Sequence, residues 1–359
     1  MRSRDEPVYR ALRHPEVLSQ LSTRQWDQLI RRARLAGVLS RLAVSSQRVS
    51  DESLLPEKAR DHLAAARLVA AHHARTLRWE VNRIGRALES VCDSAVLLKG
   101  AAYELANLPA RAGRLASDVD ILVPRSQIEI VEGALIQAGW KALKLDPYDQ
   151  RYYRRWMHEI PPLRHETRNT VVDVHHAILP PTARRYPDPE KLLAGAVRLD
   201  ARFAVLAPVD MVLHSATHLF ADGDIAGGLR EVIDIDALLR YFAGSDSGFW
   251  SGLVPRANEL GLTRPLFYAL RFCHRLLDTP IPREVLLASD AGGPRWLTVQ
   301  AMDGLVERAL LPDIKGSPIT DGALWVLYVR SHWMRMPPWL LTRHLFRKAM
   351  RRWYDPHGA

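Results

Sequence analysis

Cysteine is scarce: the 359 residues contain two, Cys92 and Cys273. Two thiols in so long a chain make no disulfide framework, and by themselves no zinc site. No apolar run approaches the roughly 18 residues that a transmembrane helix needs. The opening stretch, MRSRDEPVYR, lacks the apolar segment of a signal peptide. These absences point to a cytoplasmic chain with reduced thiols and no integral membrane association. Lysine is also sparse, with seven against 43 arginines. There is no internal repeat and no low-complexity tract.

What is present is ordinary in bulk. Apolar residues make up 47% and charged residues 25%, close to the average soluble protein. This excludes a disordered tail, a collagen-like chain and a membrane bundle. The net charge of +10 favours an anionic partner such as a nucleotide or RNA, and equally serves solubility.

Periodicity divides the chain into three. Residues 1–92 read as helical, with Leu18, Leu21, Trp26, Leu29, Ile30 and Ala33 spaced for an amphipathic helix. From Glu57 to Val91 there is no proline and one glycine, which suits one long helix after Pro56. Residues 93–205 change texture. Val96–Leu98, Val119–Val123, Trp140–Leu145 and Val171–Val174 are strand candidates, with helical patterns at Ala101–Leu108 and Arg125–Ala138. Residues 206–359 are helical again, at Val209–Phe220, Leu229–Tyr241, Phe249–Leu260, Arg264–Leu277 and Pro294–Leu310. The final stretch, Asp321 to Tyr354, is rich in Trp and Arg, including Trp325, Trp333, Trp339 and Trp353. It reads as a stripe packed on the domain, or as one lying on a membrane surface.

The chemistry concentrates between Val96 and Asp173. Asp118 and Asp120 stand two apart on a strand, so their side chains share a face. Val119, Ile121 and Val123 point the other way, into a core. Adjacent carboxylates repel, so a cation is expected, and hard oxygen ligands suit Mg²⁺ or Mn²⁺. Asp173, between Val172 and Val174, is a third carboxylate on an apolar strand. If that strand lies beside the first, three acids converge on a site for one or two metals that clamp a triphosphate. Lys99-Gly100-Ala101 sits at a strand-to-helix turn, where glycine lets backbone approach a phosphate.

These motifs resemble the uncharacterised nucleotidyltransferase family of the polymerase-beta-like superfamily. The resemblance rests on Leu97–Gly100, on Arg114 with Asp118 and Asp120, and on Val172–His175. It implies an α+β fold, a small mixed β-sheet core flanked by N-terminal and C-terminal helical regions. It implies that Asp118, Asp120 and Asp173 are catalytic and hold Mg²⁺ (or Mn²⁺). Lys99, Gly100, Ala101, Arg114, Ser117 and His175 would bind the nucleotide. The implied reaction transfers NMP, with AMP from ATP expected, to a hydroxyl on a small molecule or protein, releasing pyrophosphate. RNA is a third acceptor class. The alternatives are an inactive nucleotide- or partner-binding protein and a basic RNA-binding helical scaffold. Two features depart from the broad superfamily. The turn is Gly100-Ala101 rather than Gly-Gly or Gly-Ser, and eighteen positions separate Gly100 from Asp118.

Other residues carry weaker signals. His176 is expected to face the core. His214 and His218 are one helical turn apart and suggest interhelical hydrogen bonds. Asp234 and Asp236 read as a cap or an ion pair. Arg151–Arg155 (RYYRR) and His158, between two strand candidates, offer either base or acceptor contact, with base stacking, or the solvent face of a hairpin.

Overall fold

A computed structural model describes residues 6–49, 52–92, 94–143, 147–222, 225–311, 313, 314 and 316–335. Its centre is a seven-stranded mixed sheet. The strands are β1 (Ala95–Leu97), β2 (Asp118–Leu122), β3 (Trp140–Ala142), β4 (Leu163–His165), β5 (Val171–His175), β6 (Val197–Arg198) and β7 (Phe203–Val205). Their spatial order is β3-β4-β5-β2-β1-β7-β6. The central pair β2–β5 is parallel, β1 runs antiparallel to β2, and β7 runs parallel to β1. The fold is α+β, as the resemblance implies.

Four helices precede the sheet: α1 (Pro7–Arg13), α2 (Thr23–Leu35), α3 (Leu39–Ser45) and α4 (Glu57–Leu88). Ser22 and Gln25 close the start of α2 with a reciprocal capping box. Gly37, at φ +67°, turns the chain between α2 and α3 in a conformation that only glycine adopts freely. α4 follows Pro56 and crosses the sheet region, packing on β2.

Within the sheet segment lie α5 (Lys99–Leu105), α6 (Ile128–Gln137), α7 (Pro147–Trp156) and α8 (Pro189–Ala194). The RYYRR stretch therefore lies on a helix, and the expected hairpin face is corrected. Arg154 there makes a double hydrogen bond to Glu132 of α6, at 2.7 and 2.9 Å. The strand expected at Trp140–Leu145 ends at Ala142, and its last two positions lie outside the described residues.

The chain continues through α9 (Pro208–Thr217), α10 (Leu229–Ser245), α11 (Phe249–Glu259), α12 (Thr263–Leu277), α13 (Arg283–Asp290), α14 (Trp296–Leu310) and α15 (Pro318–Arg335). A π-helical turn, His218–Asp222, follows α9. α9 packs on α10, α11 and α12, and one continuous apolar core joins the sheet to the helices on both sides. Among the described residues no helix is long and apolar enough to cross a membrane. Trp339 and Trp353 lie outside the described residues.

Candidate active site

Alternation on β2 buries Val119, Ile121 and Val123 on one side and leaves Asp118 and Asp120 on the other. β5 does the same, burying Val172 and Val174. The parallel register then pairs Asp120 with Asp173, and Asp118 with Val171. Asp120 is buried, while Asp118 and Asp173 are half-buried. Ser117 is exposed at the entry to β2.

The turn from β1 into α5 delivers a cation to these acids. The Leu98 N–H donates to the Asp120 carbonyl at 3.0 Å, so the turn hangs on β2 itself. Lys99 follows at φ +43°, a left-handed conformation that costs a non-glycine residue about 1–3 kcal/mol. Its Nζ lies 3.1 Å from Asp120 Oδ1. His175 Nε2 donates to the same oxygen at 3.1 Å, and His175 Nδ1 lies 3.5 Å from Glu159 Oε2.

The two register partners have opposite electrostatic surroundings. Burial works against the Asp120 charge, but Lys99 and the His175 hydrogen bond outweigh it and hold Asp120 well below the carboxylate range. Burial pushes Asp173 up, the charges of Asp120 and Glu159 push further, and its carboxyl reaches about 7. Asp173 Oδ1 is buried without a hydrogen-bond partner. Burial lowers His175, yet the bond to Asp120 and the charges of Glu159 and Asp120 win and raise it.

Gly100 and Ala101 are buried in the first turn of α5. A Cβ at Gly100 would overlap Arg114 Nη1, so a guanidinium fills the space beside the glycine. Arg114 Nε donates to Asp234 Oδ2 at 2.8 Å, and Arg41 binds the other Asp234 oxygen. Arg41 also donates to the carbonyls of Ala110 and Ala112, each at 2.6 Å. Asp234 is thus an ion-pair residue tying α10 to the loop before β2. Arg114 belongs to that cluster, and Lys99 is the cation in direct contact with the acids.

Glu159 and Glu231 stand at the site with no sequence signal. Glu159 reaches β5 through an isolated antiparallel bridge to His175, which no local pattern announces. His158, Glu159 and His175 place one ligand atom each within 4.8 Å of one another. Glu231 of α10 accepts from His218 Nδ1 at 3.1 Å, the interhelical bond expected of that histidine. Burial opposes the Glu231 charge, but His218 and then Lys99 hold it down to about 2. His214 is buried, and burial drives it well below the ordinary histidine value, with the positive charge of Lys99 adding to the fall. His176 is buried, and burial lowers it to about 4.

This donor set fits a divalent cation. An unpartnered carboxylate oxygen beside a second acid, raised to about 7 by burial and then by the charges of Asp120 and Glu159, is relieved by bound positive charge. Asp118, Asp120 and Asp173 offer the oxygens that Mg²⁺ or Mn²⁺ prefers, but among the described residues the group with ligand atoms within 4.8 Å of one another is His158, Glu159 and His175, not the three acids. The His158, Glu159 and His175 group offers a mixed nitrogen and oxygen set.

The model of a family described as uncharacterised nucleotidyltransferases matches residues 22–278, and the chain belongs to that family. It is accordingly an enzyme of the nucleotidyltransferase class. No curated protein and no solved structure matches it.

Proposed function

Proceeding from that membership, we propose that the chain transfers NMP from an NTP to a hydroxyl on a small molecule or a protein. ATP is the expected donor and pyrophosphate the leaving group. The observation that supports this best is the Asp120–Asp173 register pair with its unpartnered Asp173 oxygen.

In this reading Asp118, Asp120 and Asp173 hold Mg²⁺ or Mn²⁺, which supplies neutralising charge for the triphosphate and the leaving pyrophosphate. Asp173, the third carboxylate, is ionised beside the metal charge and is the proton acceptor. It takes the proton of the acceptor hydroxyl as that oxygen bonds to the α-phosphorus. The bond from the α-phosphorus to the bridging oxygen breaks, and pyrophosphate leaves. Lys99 supplies positive charge from the β1–α5 turn, and His175 steadies Asp120. Gly100 and Ala101 form the floor of the nucleotide site, with Ser117 at its open edge. Arg114, held by Asp234, fixes the Gly100 turn from behind. The segment 93–205 carries the chemistry, and the helical regions supply the acceptor pocket.

The test is transfer itself. Purified chain is incubated with each α-³²P-labelled NTP, Mg²⁺ or Mn²⁺, and a lysate of the source cells. Label on a discrete species is expected, strongest from ATP, and its size and protease sensitivity identify the acceptor class. D118N and D120N should each cut the yield by about 10²–10³-fold. Equal labelling by the double variant would remove these acids from the reaction. Tight, salt-sensitive RNA binding without metal or turnover would favour a scaffold.

A further inference from the structure

A second concave site lies away from the acids, between the loop after β5 and helices α12 and α15. It is a cavity of about 320 Å³. This is the lower end of the range that small organic ligands occupy. Its lining is chiefly apolar, with Leu179, Leu262, Pro265 and Tyr268 among the residues. Five arginines, Arg184, Arg185, Arg264, Arg330 and Arg335, also line it. Neither Asp118, Asp120 nor Asp173 does.

The arginines elsewhere in this fold show what is unusual here. Arg41 and Arg114 share Asp234, Arg256 holds Asp210, and Arg271 and Arg275 hold Asp303. Four of the cavity arginines, Arg184, Arg185, Arg264 and Arg330, meet neutral groups instead. Arg264 Nε donates to the Gly292 carbonyl at 2.6 Å, and Arg330 Nη1 to the Phe220 carbonyl at 3.1 Å. Arg185 donates to Thr263 at 3.3 Å, and Arg184 lies over the Trp333 ring. Among the described residues none of the four has a carboxylate within ion-pair distance. Asp303, on neighbouring α14, is taken by Arg271 and Arg275.

Uncompensated charge in a concave, partly desolvated place is costly unless an anion arrives. Burial pushes the Arg330 guanidinium down, Tyr268 works against this, and the like charge of Arg264 adds to the fall. Arg330 stands on α15, beyond the last residue of the family match at 278. The site is therefore built partly by a segment outside the matched region.

We propose that this cavity binds a small organic anion, a phosphoester or carboxylate head on the arginines and an apolar or aromatic body against Leu262, Pro265 and Tyr268. It is a site separate from the nucleotide site, and it stands whether or not the proposed transfer reaction does.

The probe is 1-naphthyl phosphate, titrated into the full chain by fluorescence, with 1-naphthoate, 1-naphthol and inorganic phosphate in parallel. Saturable one-to-one binding of a naphthyl anion is expected. It should be about tenfold or more tighter than 1-naphthol or inorganic phosphate. Preference for the phosphate or for the carboxylate names the head group, and either upholds the site. R264M/R330M should weaken binding about tenfold or more. If that variant fails to fold, R184Q and R185Q, at exposed positions, carry the test with a smaller loss. D118N/D120N should bind the probe as the parent does. No saturable binding, equal affinity for 1-naphthol, indifference to the arginine variants, or loss of binding in D118N/D120N would each overturn the proposal.

Discussion

Two clusters of buried charge stand side by side in this protein, and they are built on opposite terms. Around Asp234, both carboxylate oxygens meet guanidinium groups, and Arg41 spends further donors on backbone carbonyls. Around Asp120, one acid is well served by Lys99 and His175, while its register partner Asp173 keeps an oxygen without a partner. The first cluster joins helix to loop and gains by being complete. The second retains repulsion that packing alone would have removed. A buried charge that is fully matched belongs to structure; one left mismatched beside it marks where a ligand completes the balance.

Breaking each cluster should therefore have opposite effects on stability. The largest loss is expected in D234A, which strands two buried guanidinium groups. Chemical unfolding should register about 3–5 kcal/mol of destabilisation. G100A attacks the same cluster from its other side. The new Cβ meets Arg114, which Asp234 prevents from moving aside, and about 1–3 kcal/mol is expected in the same assay. D173N should cost nothing above neutral pH and even gain. The Asp173 carboxyl sits at about 7 in the folded chain, above its ordinary value, so the folded state holds the proton longer than the unfolded one. Stability from this group is then lost as pH rises from about 4 through 7. Unfolding curves at pH 5 and pH 8 should show D173N gaining on the parent, on the order of 1–2 kcal/mol. A parent that gains on D173N with rising pH would reverse the contrast drawn here.

Much of this arrangement is written locally. The alternation through Val119, Ile121 and Val123 marks β2 and its acid face, and the Val-Asp-Val triplet marks β5, because both strands are half-buried and period two survives. The long proline-free stretch is α4. What stays hidden is non-local. β4, β6 and β7 are two or three residues long, too short for any period to show. RYYRR carries no mark that separates a helix from a strand, and α6 decides it by offering Glu132. Gly100 reads as a phosphate-approach glycine, and only the fold shows Arg114 filling the space next to it. Glu159 and Glu231 join the site through a bridge and an interhelical hydrogen bond, neither of which has a spacing rule.

The pairing of β2 with β5 has a consequence for how the chain folds. Residues 120 and 173 are neighbours only once these distant strands have docked. In the unfolded chain each carboxylate titrates alone. Their repulsion appears with the strand contact itself, a non-local event of the kind that sets folding rates. Refolding at pH 5.5, with Asp173 protonated, is expected to run faster than at pH 8, and D173N should erase the difference in stopped-flow traces. By this test the acids that meet at the site are expected to slow the closing of the sheet that brings them together.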